Sequence, residues 1–221
     1  MDIGTKITEE LNIEKAFTIP LFGGIDVSET IVVMWIIMAV MIIGGFLVTR
    51  NFKVENCSKR QIAVEGVYSW LDKLFRDIVG EKGSWMVTYL VVIIVFLVIA
   101  NLFGIFGLKS PTKDISLTGV LAVFSIVFVQ AAGIKAKGVL GWLKTFKSPI
   151  NILETFVKPL SLCMRLFGNV LGAFVIMKFI EAVVPVVIPP VLSLYFDLFD
   201  GALQAYVFTF LTALYIQEAV E

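Results

Sequence analysis

Ile31–Val48 is an unbroken apolar run without one charged side chain. About 20 helical residues, at roughly 1.5 Å of rise each, cross the hydrocarbon core of a bilayer. Two further runs of this kind follow, Trp85–Phe106 and Leu117–Ile134. A fourth, Ile150–Val184, is too long for one upright span, since about 35 helical residues measure roughly 50 Å. Such a helix has to tilt strongly, bend or lie partly along the surface. Pro185, Pro189 and Pro190 end it, because proline disrupts helix interiors, and a last run covers Val191–Ile216. Apolar residues make up 58% of the chain, charged residues 16%, and the mean hydropathy is +0.94; soluble domains carry about 25% charged residues. The expected fold is an all-α polytopic membrane protein with about five membrane helices, the last two long and strongly tilted.

Between the first two runs the pattern changes. Val67, Leu71, Leu74, Phe75 and Ile78 recur at helical spacing, with Glu65, Ser69, Asp72, Lys73 and Arg76 on the opposite stripe. That predicts an amphipathic helix on the membrane surface; a partner-facing helix in a soluble cap is the alternative. Residues 1–30 are polar and acidic, unlike a secretory signal or an Arg-rich transit peptide, so the first run is expected to anchor the chain itself. The expected organisation is an external segment 1–30, a first membrane helix 31–49, an interfacial helix 53–82, a hairpin of the second and third membrane helices 85–135, and a tilted helical hairpin 150–217. Lys and Arg set orientation. They crowd residues 50–82 and 135–147, while 107–116 holds only Lys109 and Lys113 and the proline turn holds none. Five crossings then put the N-terminus outside and the C-terminus in the cytoplasm. No internal repeat is visible, so an inverted-repeat transporter has little support.

The chain contains no His, which excludes His-ligated metals, His-based triads and a His proton shuttle. Cys57 and Cys163 are far apart and form neither a disulfide framework nor a zinc pattern. No glycine loop of the phosphate-binding kind occurs, so no catalytic residue, metal or cofactor is expected. Lys+Arg and Asp+Glu are both 18, which argues for no nucleic-acid partner.

The chemistry lies in the charges inside the apolar runs. A buried Arg, Lys or Asp at a helix centre costs about 2.5–3.5 kcal/mol on insertion scales, a cost retained when the charge is paired or used. Arg165, within Leu160-Ser161-Leu162-Cys163-Met164-Arg165-Leu166-Phe167-Gly168-Asn169, has no acid three or four residues away on either side. It is expected either to bridge to another helix or to meet a carboxylate outside this chain. Asn169 follows one turn later on the same face. Glu154 with Lys158, and Lys178 with Glu181, are spaced for local neutralisation. Asp197, Asp200 and Gln204 fall on one stripe at α-helical spacing, which suits a water-lined ion path. Gly168, Gly172 and Gly201 read as small residues that permit close helix approach.

These residues resemble subunit a of the rotary, F-type ATP synthases, from about residue 95 to the C-terminus. The resemblance rests on Pro159-Leu160-Ser161-Leu162 with Arg165-Leu166-Phe167-Gly168-Asn169, on Asn101-Leu102-Phe103-Gly104 followed by Pro111-Thr112, Asp114 and Thr118, and on Leu203-Gln204-Ala205-Tyr206-Val207-Phe208 ending in Tyr215. It implies a non-catalytic stator subunit whose last two helices lie beside a ring of c-subunits. Two offset half-channels would carry H⁺ or Na⁺ to and from the ring carboxylate, with peripheral-stalk b subunits, the rest of the complex and the lipid bilayer as partners, in a bacterial plasma membrane. Arg165 would sit between the half-channels. Gln204 and Asn169 fall on the family's glutamine and asparagine near that arginine, Asp197 on an outer half-channel position, and Glu154 among acids near the cytoplasmic half-channel. Relatives often carry an acid nine residues after the arginine, where this chain has Phe174; Asp200 is a candidate replacement and Glu181 a candidate for the outer vestibule. Pairing of Asp200 with Lys178 is the alternative. A self-contained channel or secondary transporter remains the competing function.

Overall fold

The computed structural model describes residues 15–19, 25–50, 52–53, 58–103, 114–145, 149–183, 192 and 195–221. Five helices in it are long and apolar enough to cross a membrane. Ahead of them β1 (Lys15–Ile19) and β2 (Ile25–Ser28) form an antiparallel hairpin that pairs Thr18 with Asp26 and Ile19 with Ile25.

Helix α1 (Glu29–Thr49) is apolar all round, and only Thr30, Val33 and Ile37 are buried. Thr30 Oγ1 donates to Asp114 Oδ2 at 2.8 Å, and Asp114 Oδ1 accepts from the Ser116 amide at 2.8 Å. One carboxylate therefore caps the start of α4 (Ile115–Thr145) and ties down the start of α1. Helix α2 (Lys59–Gly83) breaks at Gly80, whose φ of 73° suits a residue without a Cβ, and a 3-10 turn at Ser84–Met86 leads into α3 (Val87–Leu102). The α2 stripe is turned inward in its second half: Leu71, Phe75 and Val79 are buried in the core shared with α3 and α6, while Val67 and Trp70 are exposed.

Helix α5 (Pro149–Val183) keeps Pro159 within it. A π-helix at Tyr195–Asp200 runs into α6 (Gly201–Val220), which packs against α2, α3, α4 and α5. Thr209 and Thr212 lie on the buried side of α6 and donate to the carbonyls of Ala205 and Phe208, both at 2.9 Å. Their hydroxyls are satisfied within the helix, so they pack beside Phe208 and Ile216 without an orphaned polar atom. Tyr89 on α3 stacks on Phe128 of α4 at 4.3 Å and shares a 2.8 Å hydrogen bond with Ser125.

Candidate functional site

Helix α5 has two unlike sides. Leu162 and Leu166 are buried in the bundle, whereas Leu153, Phe156, Leu160 and Met164 are exposed, Phe156 by 72% and Leu160 by 62%. Arg165 emerges on the exposed side with no ion-pair or hydrogen-bond partner among the described residues. A bridge from Arg165 to another helix, one of the two expectations, is therefore absent there. Asn169, one turn on, is half-buried. A Cβ placed on Gly168 or Gly172 would meet no atom of the described residues within 4 Å. These glycines are expected to permit close helix approach; among the described residues no helix approaches either of them, and the surface beside Arg165 is open there.

Gly201 behaves as expected. Its carbonyl accepts from Asn101 Nδ2 at 2.8 Å, and a Cβ there would come within 2.8 Å of the Asn101 Cβ. This contact joins the end of α3 to the start of α6, one turn before Gln204. Gln204 is buried, and its Nε2 has no hydrogen-bond partner among the described residues, a state that costs about 1–3 kcal/mol. Asp200 is half-buried at the α6 N-cap position and makes no side-chain cap bond. The side chains of Asp197, Glu181, Lys178 and Phe174 lie outside the described residues. The backbone at Asp197 and Asp200 is π-helical, wider than the α spacing on which the three-residue stripe was drawn.

Glu154 belongs to a second group, at the far end of α6. Lys158 Nζ lies 3.3 Å from Glu154 Oε2 and 2.8 Å from Glu218 Oε1, and 5.3 Å from the centre of the Tyr215 ring. The Glu154–Lys158 pair was legible from its spacing. Glu218 was missed, although it carries the same signal as Arg165: an acid in an apolar helix with no base three or four residues away. The three side chains line a cavity of about 210 Å³ between α4, α5 and α6, with Gln130, Asn151 and Trp142. Gly138, at φ 73°, turns the chain back within α4, and Trp142 Nε1 then donates to Gln130 Oε1 at 2.7 Å. That fold-back supplies one wall of the cavity.

The arrangement offers a fixed cation facing outward among apolar side chains, a buried amide donor near the α6 start, and a polar cavity at the opposite end. A fixed cation so placed suits an external carboxylate; no nucleophile–base pair is present among the described residues. A model of the family described as ATP synthase A chain matches residues 31–217. The chain is 33% identical over 206 residues to ATP synthase subunit a of Moorella thermoacetica, covering 90% of this chain and 93% of the relative. It is 36% identical over 211 residues to ATP synthase subunit a of Gloeobacter violaceus, covering 88% and 84%. It is 31% identical over 219 residues to a protein of Propionigenium modestum named ATP synthase subunit a, sodium ion specific, covering 89% and 75%.

Proposed function

That the chain belongs to the ATP synthase subunit a family is the premise from which we propose how it moves ions. It is a multi-pass membrane component of that complex with a stator, ion-translocating role. In our reading the hairpin 150–217 lies against a ring of c-subunits, with b subunits of the peripheral stalk holding the chain still. ATP chemistry belongs to other subunits.

The observation that carries this reading is Arg165, without a partner among the described residues, on an exposed apolar face of α5. An apolar helix facing only lipid has no use for a guanidinium, which stays protonated at any working pH. A ring carboxylate passing within about 4–6 Å of it would have its pKa lowered by roughly 1–3 units. The carboxylate therefore releases its ion on reaching Arg165 and takes up another on leaving it. The positive charge also blocks direct passage of cations between the two access paths. Asp197, Asp200 and Glu181 serve the outer path. Glu154 and its cavity serve the cytoplasmic one, while Asn169 and the buried Gln204 amide orient the carboxylate as it passes. The residue between the paths is the same for H⁺ and Na⁺; the ring site chooses the ion.

Arg165→Ala should abolish ion-driven ATP synthesis, by at least about 100-fold, in a complex that still assembles. Arg165→Lys should also lose most of it, because a point ammonium does not reproduce the guanidinium's planar fork. In the same vesicles D197N and D200N should slow ion flux. Near-normal synthesis with Arg165→Ala would refute the mechanism. The Lys and Arg distribution further places the N-terminus outside and the C-terminus in the cytoplasm. A thiol at residue 2 should react with an impermeant reagent from outside intact cells, and one at residue 221 only in inverted vesicles.

A further inference from the structure

Lys158 occupies the middle of a group of oxygen donors. Glu154 and Glu218 approach its ammonium from two helices, at 3.3 and 2.8 Å, and Asn151 and Thr155 line the same cavity. Two carboxylates backed by neutral oxygens are the donor set taken by Ca²⁺, Mg²⁺ and Mn²⁺. The pairs do little for folding. The side chains of Lys158, Glu154 and Glu218 are 21%, 43% and 54% exposed, and exposed ion pairs contribute little to stability. Lys137 also lines the cavity but is exposed and makes no ion pair with either acid among the described residues. The charge between the two carboxylates is thus the compact ammonium of Lys158 alone.

We propose that Lys158 is a tethered cation: it occupies the Glu154–Glu218 pair and keeps divalent metal ions from lodging there. A covalently held ammonium cannot leave the site, and it can swing on its flexible stem as small ions pass. A divalent ion held by both carboxylates would be immobile. This inference deepens the reading of the cavity as the cytoplasmic access path and rests on it for its consequence, that the path stays open in a Mg²⁺-rich compartment.

The test uses the intact complex and Tb³⁺, a luminescent stand-in for Ca²⁺ that Tyr215 and Trp142 would sensitise. Lys158→Gln should bind Tb³⁺ at least about tenfold more tightly than the unmodified complex. Ca²⁺ should compete, and the K158Q/E218Q double variant should lose the signal, while Lys158→Arg should show none. In proteoliposomes with the cytoplasmic face outward, added Ca²⁺ should inhibit ATP-driven ion transport several-fold in K158Q only, with ATP hydrolysis after detergent uncoupling unaffected. Should K158Q not assemble, acetylation of the assembled complex, followed at Lys158 by peptide mass spectrometry, should create the same Tb³⁺ signal and fail to do so in E218Q. Equal Tb³⁺ affinity with and without the Lys158 charge overturns the inference. New Tb³⁺ binding without inhibition of transport supports it, and overturns instead the placement of the cavity on the ion path.

Discussion

Helices α3 and α5 are both apolar, and the chain uses them in opposite ways. Leu90, Val91, Ile93, Ile94 and Leu97 of α3 are buried in the core shared with α2 and α6, and Ala100 is buried with Val33 and Ile37 of α1, so this helix is clothed by its own chain. Along α5 only Leu162 and Leu166 are buried among the described residues, and the opposite side stays bare from Leu153 to Met164. Bareness alone is not informative in a membrane protein, because α1 is as exposed, with Ile42 and Phe46 open, and simply suits lipid. What separates α5 from α1 is Arg165; open glycines do not, since Gly44 and Gly45 of α1, like Gly168 and Gly172 of α5, meet nothing within 4 Å among the described residues. An exposed apolar face with a fixed charge at its centre is the feature on which the proposal of a partner carboxylate rests.

That contrast can be broken by substitution. Leu90→Ala on the clothed helix should lower the stability of the detergent-solubilised chain by about 2–5 kcal/mol, read as a fall in unfolding temperature. Leu160→Ala on the bare face should leave that temperature nearly unchanged and instead weaken retention of the chain by the ring during purification. Equal destabilisation by the two would erase the distinction. A smaller effect tests the glycines. Gly201→Ala forces a Cβ against Asn101 and should cost about 1–3 kcal/mol, with a loss of coupled transport because the α6 start near Gln204 shifts. Gly168→Ala meets open space and should leave the chain's unfolding unchanged, any effect being confined to ATP synthesis by the assembled complex.

Much of this protein was readable along the chain. Apolar runs announce membrane helices because the cost of exposing backbone and charge to lipid is local. The isolation of Arg165 could be read for the same reason, since partners within a helix lie only three or four residues away. The Glu154–Lys158 pair obeys that rule and is present at 3.3 Å. Reading at α-helical spacing lost its footing at Tyr195–Asp200, where the backbone is π-helical and successive side chains advance by a different angle. It also treated three glycines alike, although among the described residues Gly201 alone of the three faces a neighbour.

The sequence by itself determined the membrane class, the family and the isolated charge at the centre of the candidate site, because hydropathy, helical spacing and a motif such as Arg165-Leu166-Phe167-Gly168-Asn169 are properties of neighbouring residues. Tertiary structure decided that Lys158 meets Glu218 across 60 positions, that Asn101 meets Gly201 across 100, and that Asp114 reaches back 84 to Thr30. Those meetings depend on the height and rotation of one helix against the next. Both are set by the volumes packed along the whole interface, from Phe75 to Ile216, and no short stretch of sequence contains that sum.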